Sequence, residues 1–338
     1  RKYASGVAIA AVFTLAACTT IETISSDLDV TPSSRPVTAD NVRSGRLATI
    51  GAQQHPRILA AYGGEYSDVK LERMVAGIVG RLVTVSDNPS QVYQISILDS
   101  PVINAFALPG GYLYVSRGLL ALANDSAELG AVIAHEMAHV TAEHGLKRQR
   151  KEAEAVLASR VVTEVLADKS AGRRALARGK VALAQFSRNQ ELEADAIGIS
   201  ALHEAGFDPF AAARFQQTMD AFSKLTGASD AGDNSLDFLS THPSTPQRIT
   251  LALGHARKYG APGIGDAERD PYLAGLDGML FGDSPNEGYV RGQTYAHVAL
   301  GIAMEFPAGF QVENRPEAVL GARVDGAAIR FDGAEVPN

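Results

Sequence analysis

The 338-residue chain has a single cysteine, Cys18. One thiol makes no intrachain disulfide and no cysteine-based zinc knuckle, and it confines any cysteine-nucleophile chemistry to the N-terminal segment. An excess of one charge is also missing. The 31 Lys and Arg stand against 38 Asp and Glu, mixed along the chain, for a formal net charge of −7. That balance gives no sustained attraction to nucleic acid, and no nucleic-acid partner is expected. The N-terminal apolar run, Val7 to Ala17, is too short to span a bilayer comfortably. No GxSxG elbow, P-loop or dinucleotide fingerprint offers a competing chemistry, and no solenoid-length repeat is present. Disorder of the whole chain is excluded by 46% hydrophobic and 20% charged residues.

What is present is HEMAH at 135–139 and ELEAD at 191–195. On a helix, positions i and i+4 share a face, so His135 and His139 can hold one zinc ion together, with Glu136 beside the open position. Asp195 shares a face with Glu191, whereas Glu193 points nearly the opposite way. Glu191 is therefore read as the third ligand, completing a His₂Glu set for one Zn²⁺ per chain. Asp195 is read as accepting a hydrogen bond from the non-ligating nitrogen of His135. These parts suit metal-assisted amide hydrolysis with Glu136 as general base.

Around these motifs the chain divides into five stretches. Residues 1–18 carry Arg1 and Lys2, an apolar run, and Leu15-Ala16-Ala17-Cys18, which resembles a bacterial lipobox. They are read as a lipoprotein signal with Cys18 as the lipidation site, and Thr19 favours anchoring to the outer membrane. Residues 19–45, rich in Ser, Thr, Pro and Asp, read as a flexible tether. Residues 46–260 form the main domain, 261–286 a linker, and 287–338 a small β module.

Within the main domain, 91–99 and 102–116 are β-rich, the latter folding around Pro109-Gly110-Gly111. Asp125 is the expected N-cap of the HEMAH helix and Gly145 its stop. One or two helices fill 146–190, and the basic run KRQRK at 147–151 reads as a solvated helix end. A helix over 189–204 ends at Gly206, another starts at Asp208-Pro209, and 228–240 reads as a mobile loop. In the last stretch, Val298, Leu300, Ile302, Met304 and Phe306 alternate as a strand, and Asp325-Gly326 signals a two-residue hairpin turn. The fold class is α+β, mainly helical with a small β-sheet and a C-terminal β element.

NAFALPGGYLYVSRGLL at 104–120, HEMAH, FSRNQELEADAIGI at 186–199 and THPSTPQRI at 241–249 occur in an order that resembles the M48 family of zinc metallopeptidases, and in particular its periplasmic lipoprotein branch. The resemblance runs from about Gly51 to Tyr259. It implies a zincin domain of the gluzincin type with His135, His139 and Glu191 on zinc, Glu136 as general base and Asp195 in support. It also implies that His242 approaches the metal as a regulatory or transition-state-stabilising group, with Arg248 beside it in the catalytic site. The activity it implies is cleavage of misfolded or misassembled cell-envelope proteins in the periplasm, in contact with outer-membrane assembly machinery. The β module departs from the helical repeats of the better-known periplasmic members.

Three further expectations follow, the first resting on the resemblance and the other two on the residues. His242 can occupy the fourth zinc position and hold the enzyme latent until the 228–240 loop moves. Residues 102–107 offer a strand edge to an extended substrate, with Asn104 as the substrate-binding candidate and strand capping as its equal alternative. His55, His144, His203, His255 and His297 read as structural or surface residues. Two rival functions are a latent protease acting as a chaperone or scaffold for outer-membrane proteins, and a lipoprotein that stores zinc.

Overall fold

Apolar spacing sets the first elements of the computed structural model, which describes residues 46–166, 169–226, 237–316 and 318–333. Cys18, the stretch 19–45 read as a tether and most of the stretch 228–240 read as a loop lie outside those residues. Helix α1 spans Arg46–Ala61 and α2 spans Val69–Thr84. Asp68 caps α2 by accepting from the Lys70 and Leu71 amides, and Leu71, Val75, Ile78, Val79 and Leu82 form its buried stripe. Each such side chain stabilises the fold by about 1.5–3 kcal/mol.

A three-stranded sheet follows: β1 Gln94–Leu98, β2 Ala105–Leu108 and β3 Tyr112–Ser116, in the order β1-β3-β2. β1 and β3 run parallel from Gln94↔Tyr112 to Leu98↔Ser116. β2 and β3 form an antiparallel hairpin closed by Leu108↔Tyr112. Gly110 and Gly111 take φ of 98° and 78° in that turn, a conformation open to glycine. β2 is left as an edge strand beside the metal-motif helix α4, Ser126–Thr141, while the short helix α3, Arg117–Leu122, follows directly on β3.

Helix α4 is the centre of the molecule. Thirteen consecutive residues from Ser126 to Ala138 are buried, the pattern of a helix packed on all sides. Asp125 caps it as expected, accepting from the Glu128 amide. Its end is not set by Gly145. The chain turns at Glu143, which takes a left-handed φ of 54°, and Gly145 already lies in α5, His144–Leu166. Helix α6 then runs unbroken over Lys169–Glu204, twenty residues longer at its start than the 189–204 helix read from sequence. Gly198 allows α6 to lie against α4, since a Cβ there would sit 3.1 Å from the His135 backbone nitrogen.

After Gly206, at φ 84°, come α7 Ala211–Thr226, α8 Asp237–Thr241 and α9 Pro246–Arg257, the last capped by Thr245. Residues 237–240, read as part of a loop, therefore belong to a helical turn. Phe238 anchors that turn in the core, and its amide donates to the Ile103 carbonyl at 3.2 Å. The stretch read as a linker holds α10, Arg269–Leu276. Tyr272 on α10 is fully buried and donates to the Leu120 carbonyl at 2.7 Å.

The C-terminal module has two antiparallel sheets. The first contains β4 Tyr289–Arg291, β5 Thr294–His297 and β6 Ile302–Glu305; the second contains β7 Gln311–Arg315, β8 Ala318–Ala322 and β9 Ala328–Phe331. Tyr295, Phe306 and Val319 form its core. The alternating run is strand only from Ile302, while Val298 and Leu300 sit exposed in the β5–β6 turn. The β8–β9 turn also differs from expectation. The Arg323 amide donates to the Ala327 carbonyl, giving a three-residue loop that ends at Gly326 with φ 89°.

Candidate metal centre

Buried α4 and the second half of α6 supply the groups of the site. His135 Nε2 lies 3.0 Å from His139 Nε2 and 3.3 Å from Glu191 Oε2, and His139 Nε2 lies 3.4 Å from Glu191 Oε1. His242, just after α8, adds its Nδ1 at 3.3 Å from His135 Nε2 and 3.0 Å from Glu191 Oε2. These four side chains offer ligand atoms that all fall within 4.8 Å of one another.

Hydrogen bonding behind the cluster directs the imidazole lone pairs inward. His135 Nδ1 is 3.0 Å from Asp195 Oδ1, and an ionised carboxylate only accepts, so the proton sits on Nδ1 and Nε2 faces the cluster. A second chain orders His139. His144 Nε2 lies 3.3 Å from Glu193 Oε2, and its Nδ1 lies 2.9 Å from His139 Nδ1. Glu193 accepts from His144 Nε2–H, His144 Nδ1 then accepts from His139 Nδ1, and His139 Nε2 is left free to ligate. His144 itself is fixed by Gln190 Nε2, which donates to its carbonyl at 2.9 Å.

Sequence reading missed this second chain because position i+5 on a continuous helix does not share the face of His139. The left-handed Glu143 breaks the helix and returns His144 to it. A non-glycine residue at positive φ has no reliable sequence signal.

Arg248 on α9 secures the acidic side. Its Nε and Nη2 each donate to Asp195 at 2.7 Å, and its Nη1 reaches Glu191 Oε2 at 2.9 Å and the Pro243 carbonyl at 3.0 Å. It thus ties α6, through Glu191 and Asp195, to the segment that carries His242. Gln216 adds a 3.3 Å bond to Asp195.

Burial opposes ionisation of Asp195, but Arg248 outweighs it and holds the carboxyl below its ordinary value. Burial likewise opposes Glu191, and hydrogen bonds from His135 and His242 hold it well below the carboxylate range. Burial also works against a charged His135, yet Asp195 and Glu191 push it up to about 9 without a metal. Burial first, then the charge of His135, drives His139 far below the imidazole range. Glu136 is 4% exposed, and burial raises its carboxyl against the opposing pull of His242 and His135. Its Oε1 accepts no hydrogen bond; His242 Nε2 stands 3.4 Å away. A buried acceptor without a donor, between two aligned imidazoles on the same helix, fits a group that handles a proton at a metal.

A model of peptidase family M48 matches residues 69–255. The chain belongs to this family. It is 33% identical over 181 residues to the mitochondrial metalloendopeptidase OMA1 of Schizosaccharomyces pombe, covering 52% of this chain and 50% of that one. It is 30% identical over 202 residues to a putative beta-barrel assembly-enhancing protease of Vibrio cholerae, covering 57% and 40%. The beta-barrel assembly-enhancing protease of Escherichia coli is 28% identical over 218 residues, covering 62% and 43%. The chain thus spans half or less of the length of these curated relatives.

For an M48 metallopeptidase the remaining candidates fall into three groups. His135, His139, Glu191 and His242 converge, with Glu136, Asp195 and Arg248 in contact with them. Asn104 stands apart: its amide side chain donates to the Tyr62 hydroxyl at 2.8 Å, and its backbone bonds Ser116 at the end of β3. Cys18 lies outside the described residues. A cavity of about 330 Å³ opens beside the cluster, walled by Leu108 and Pro109 of the β2 turn, Val140, Leu146 and His242. Among the described residues no helix is long and apolar enough to cross a membrane.

Proposed function

We propose that the chain is a zinc-dependent endopeptidase acting on misfolded or misassembled cell-envelope proteins, with His135, His139 and Glu191 as zinc ligands. The observation that carries this reading is the four-donor cluster with buried Glu136 at its side. Donors at zinc–nitrogen distances of about 2.0–2.1 Å from one tetrahedral centre lie roughly 3.3–3.4 Å apart, close to the 3.0–3.4 Å separations here. Imidazole and carboxylate also form a donor set that zinc accepts readily. Bound there, zinc would supply Lewis acidity toward a carbonyl and a water.

The chain's own groups account for the rest. Glu136 takes a proton from the attacking water and returns it to the departing amine, a role for which a carboxyl raised by burial is suited. The free edge of β2 and the apolar cavity wall support an extended substrate laid beside α4. Asn104 would act there only by shaping the start of β2. Arg248 would act by holding Glu191 and Asp195. The Vibrio and Escherichia relatives are named for enhancing β-barrel assembly, and that supports a role for this chain beside β-barrel assembly machinery. Lipid anchoring at Cys18 would place the enzyme in the periplasm at the outer membrane.

His242 is proposed as a latch in the fourth ligand position, which its Nδ1 distances support. His242→Ala should then raise turnover of the zinc-loaded enzyme; unchanged turnover would remove the latch, and a loss would assign His242 to transition-state stabilisation.

The test of the peptidase reading is cleavage of an unfolded model protein by the zinc-loaded chain against Glu136→Gln. Wild-type cleavage reduced about 10²–10⁴-fold in the variant is expected. Equal rates in both would overturn it. A latent protease serving as an assembly scaffold, the reading that a latched His242 also favours, would keep its cellular role in Glu136→Gln.

A further inference from the structure

Residues 145–166 and 169–189 form a pair of helices with a surface unlike the rest of the chain. Among the described residues of this stretch none is buried. The two helices meet along a narrow seam, where a Cβ on Gly179 would lie 2.7 Å from that of Ala155. An antiparallel helix pair roughly 30 Å long, with no core of its own, is thus presented to its surroundings.

Its charge is opposite to that of the molecule. Between 144 and 188 there are 11 Lys and Arg against 4 Asp and Glu, a net of +7 in a chain whose total is −7. From Lys169 to Gln190 there is no acidic residue at all. The exposed surface of α6 carries Arg173, Arg174, Arg178 and Lys180, and that of α5 carries Lys151 and Arg160. The KRQRK run, read alone as a solvated helix end, is one end of this larger basic surface.

Apolar side chains lie among these charges. Val156, Leu157 and Val181 are 56%, 61% and 60% exposed, and Val161 is exposed beside Arg160. A surface made only to bind a soluble polyanion gains nothing from such residues. Aliphatic side chains interleaved with Arg and Lys on exposed helices match the boundary of an anionic bilayer, where headgroups attract the cations and the acyl region takes the aliphatics.

We propose that the α5–α6 helix pair is a docking surface for an anionic phospholipid membrane. The contact is peripheral: the helices lie on the headgroups and insert no spanning segment. It is independent of the peptidase reading, because Val156, Leu157, Arg173, Arg178, Lys180 and Val181 stand away from the cavity beside Glu136, which the pair reaches only at its KRQRK end, through Leu146 and Arg148, and near the end of the basic stretch of α6, through Ser187.

The test is cosedimentation of the full chain with vesicles of phosphatidylcholine alone or with added phosphatidylglycerol. The N-terminal segment is common to every arm, so the comparison isolates the helix pair. Added phosphatidylglycerol should raise binding about tenfold, and high salt should reverse the gain. The combined variant Arg173→Glu, Arg178→Glu, Lys180→Glu should lose the gain. The milder set Arg173→Gln, Arg178→Gln, Lys180→Gln should lose part of it, with helix content unchanged by circular dichroism. Val156→Ser, Leu157→Ser, Val181→Ser should weaken binding to the anionic vesicles several-fold and leave binding to soluble polyglutamate unchanged. Equal binding to both vesicle types, or a gain that survives charge reversal, would overturn the proposal. Binding to polyglutamate as tight as to vesicles, with no effect of the serine set, would overturn it in favour of an acidic polypeptide partner.

Discussion

Helix α6 is two helices in physical terms, although its backbone is continuous over Lys169–Glu204. Its first twenty residues have no acid and no buried side chain among those described, while Gln190, Glu191, Ala194, Asp195, Gly198 and Leu202 in its last fifteen are buried against α4 and its neighbours. Helix propensity does not separate the two halves. Packing does: Gly198 brings α6 onto α4, and every acid then buried must have a partner. The first half is free to vary in charge, whereas in the second each charge is fixed by its neighbours.

The sharpest test of that contrast is Arg248→Met. It leaves Asp195 and Glu191 buried with their strongest cation removed, and should destabilise the metal-free chain by about 3–5 kcal/mol in urea unfolding. A loss under 1 kcal/mol would mean that His135 and Gln216 suffice to hold Asp195.

His144→Leu comes next. It removes the acceptor that sets the His139 tautomer, so zinc affinity measured by chelator competition should fall about 10–100-fold. His144→Asn, which keeps an acceptor, should restore part of that loss. An unchanged affinity in His144→Leu would reduce the Glu193–His144 chain to packing.

A proton should compete with the metal. His135, pushed up to about 9 by Asp195 and Glu191, holds a proton that zinc, bound as proposed, would have to displace. Zinc affinity should therefore rise about tenfold per pH unit from 7 toward 9 and then level off. The sign reverses for the metal-free fold. The folded His135 value lies above the unfolded 6.5, so its contribution is full below 6.5 and is lost as pH rises through 9. Metal-free stability should fall over the interval in which zinc binding strengthens, and parallel slopes would assign the raised value to another group.

These contrasts mark how far the sequence could be read. The i, i+4 pairs His135/His139 and Glu191/Asp195 are short-range and helical, so their faces follow from spacing alone, and the mainly helical α+β class follows from the periodicity around them. The cap Asp125 was legible for the same reason. His144 was not, because its role depends on a left-handed Glu143 that only the finished packing sustains. Tyr272 was not, because a short helix between glycine-rich turns has no local mark of the core position it fills. The Asp325-Gly326 turn was located correctly but not its length, since the same dipeptide serves a two-residue or a three-residue loop and strand register decides between them.

The smallest expected effect lies in the first half of α6. Arg178→Ala removes an exposed charge with no buried neighbour to strand, and Ala propagates a helix at least as well as Arg, so stability should change by no more than about 0.5 kcal/mol. The change should also be slightly favourable, because Arg174 and Arg178 are i, i+4 neighbours of like charge. A basic helix that is more stable without one of its arginines is not arranged for its own folding. A loss of more than 1 kcal/mol in urea unfolding would instead show that the first half is held by tertiary contacts, and the contrast between the two halves of α6 would fail.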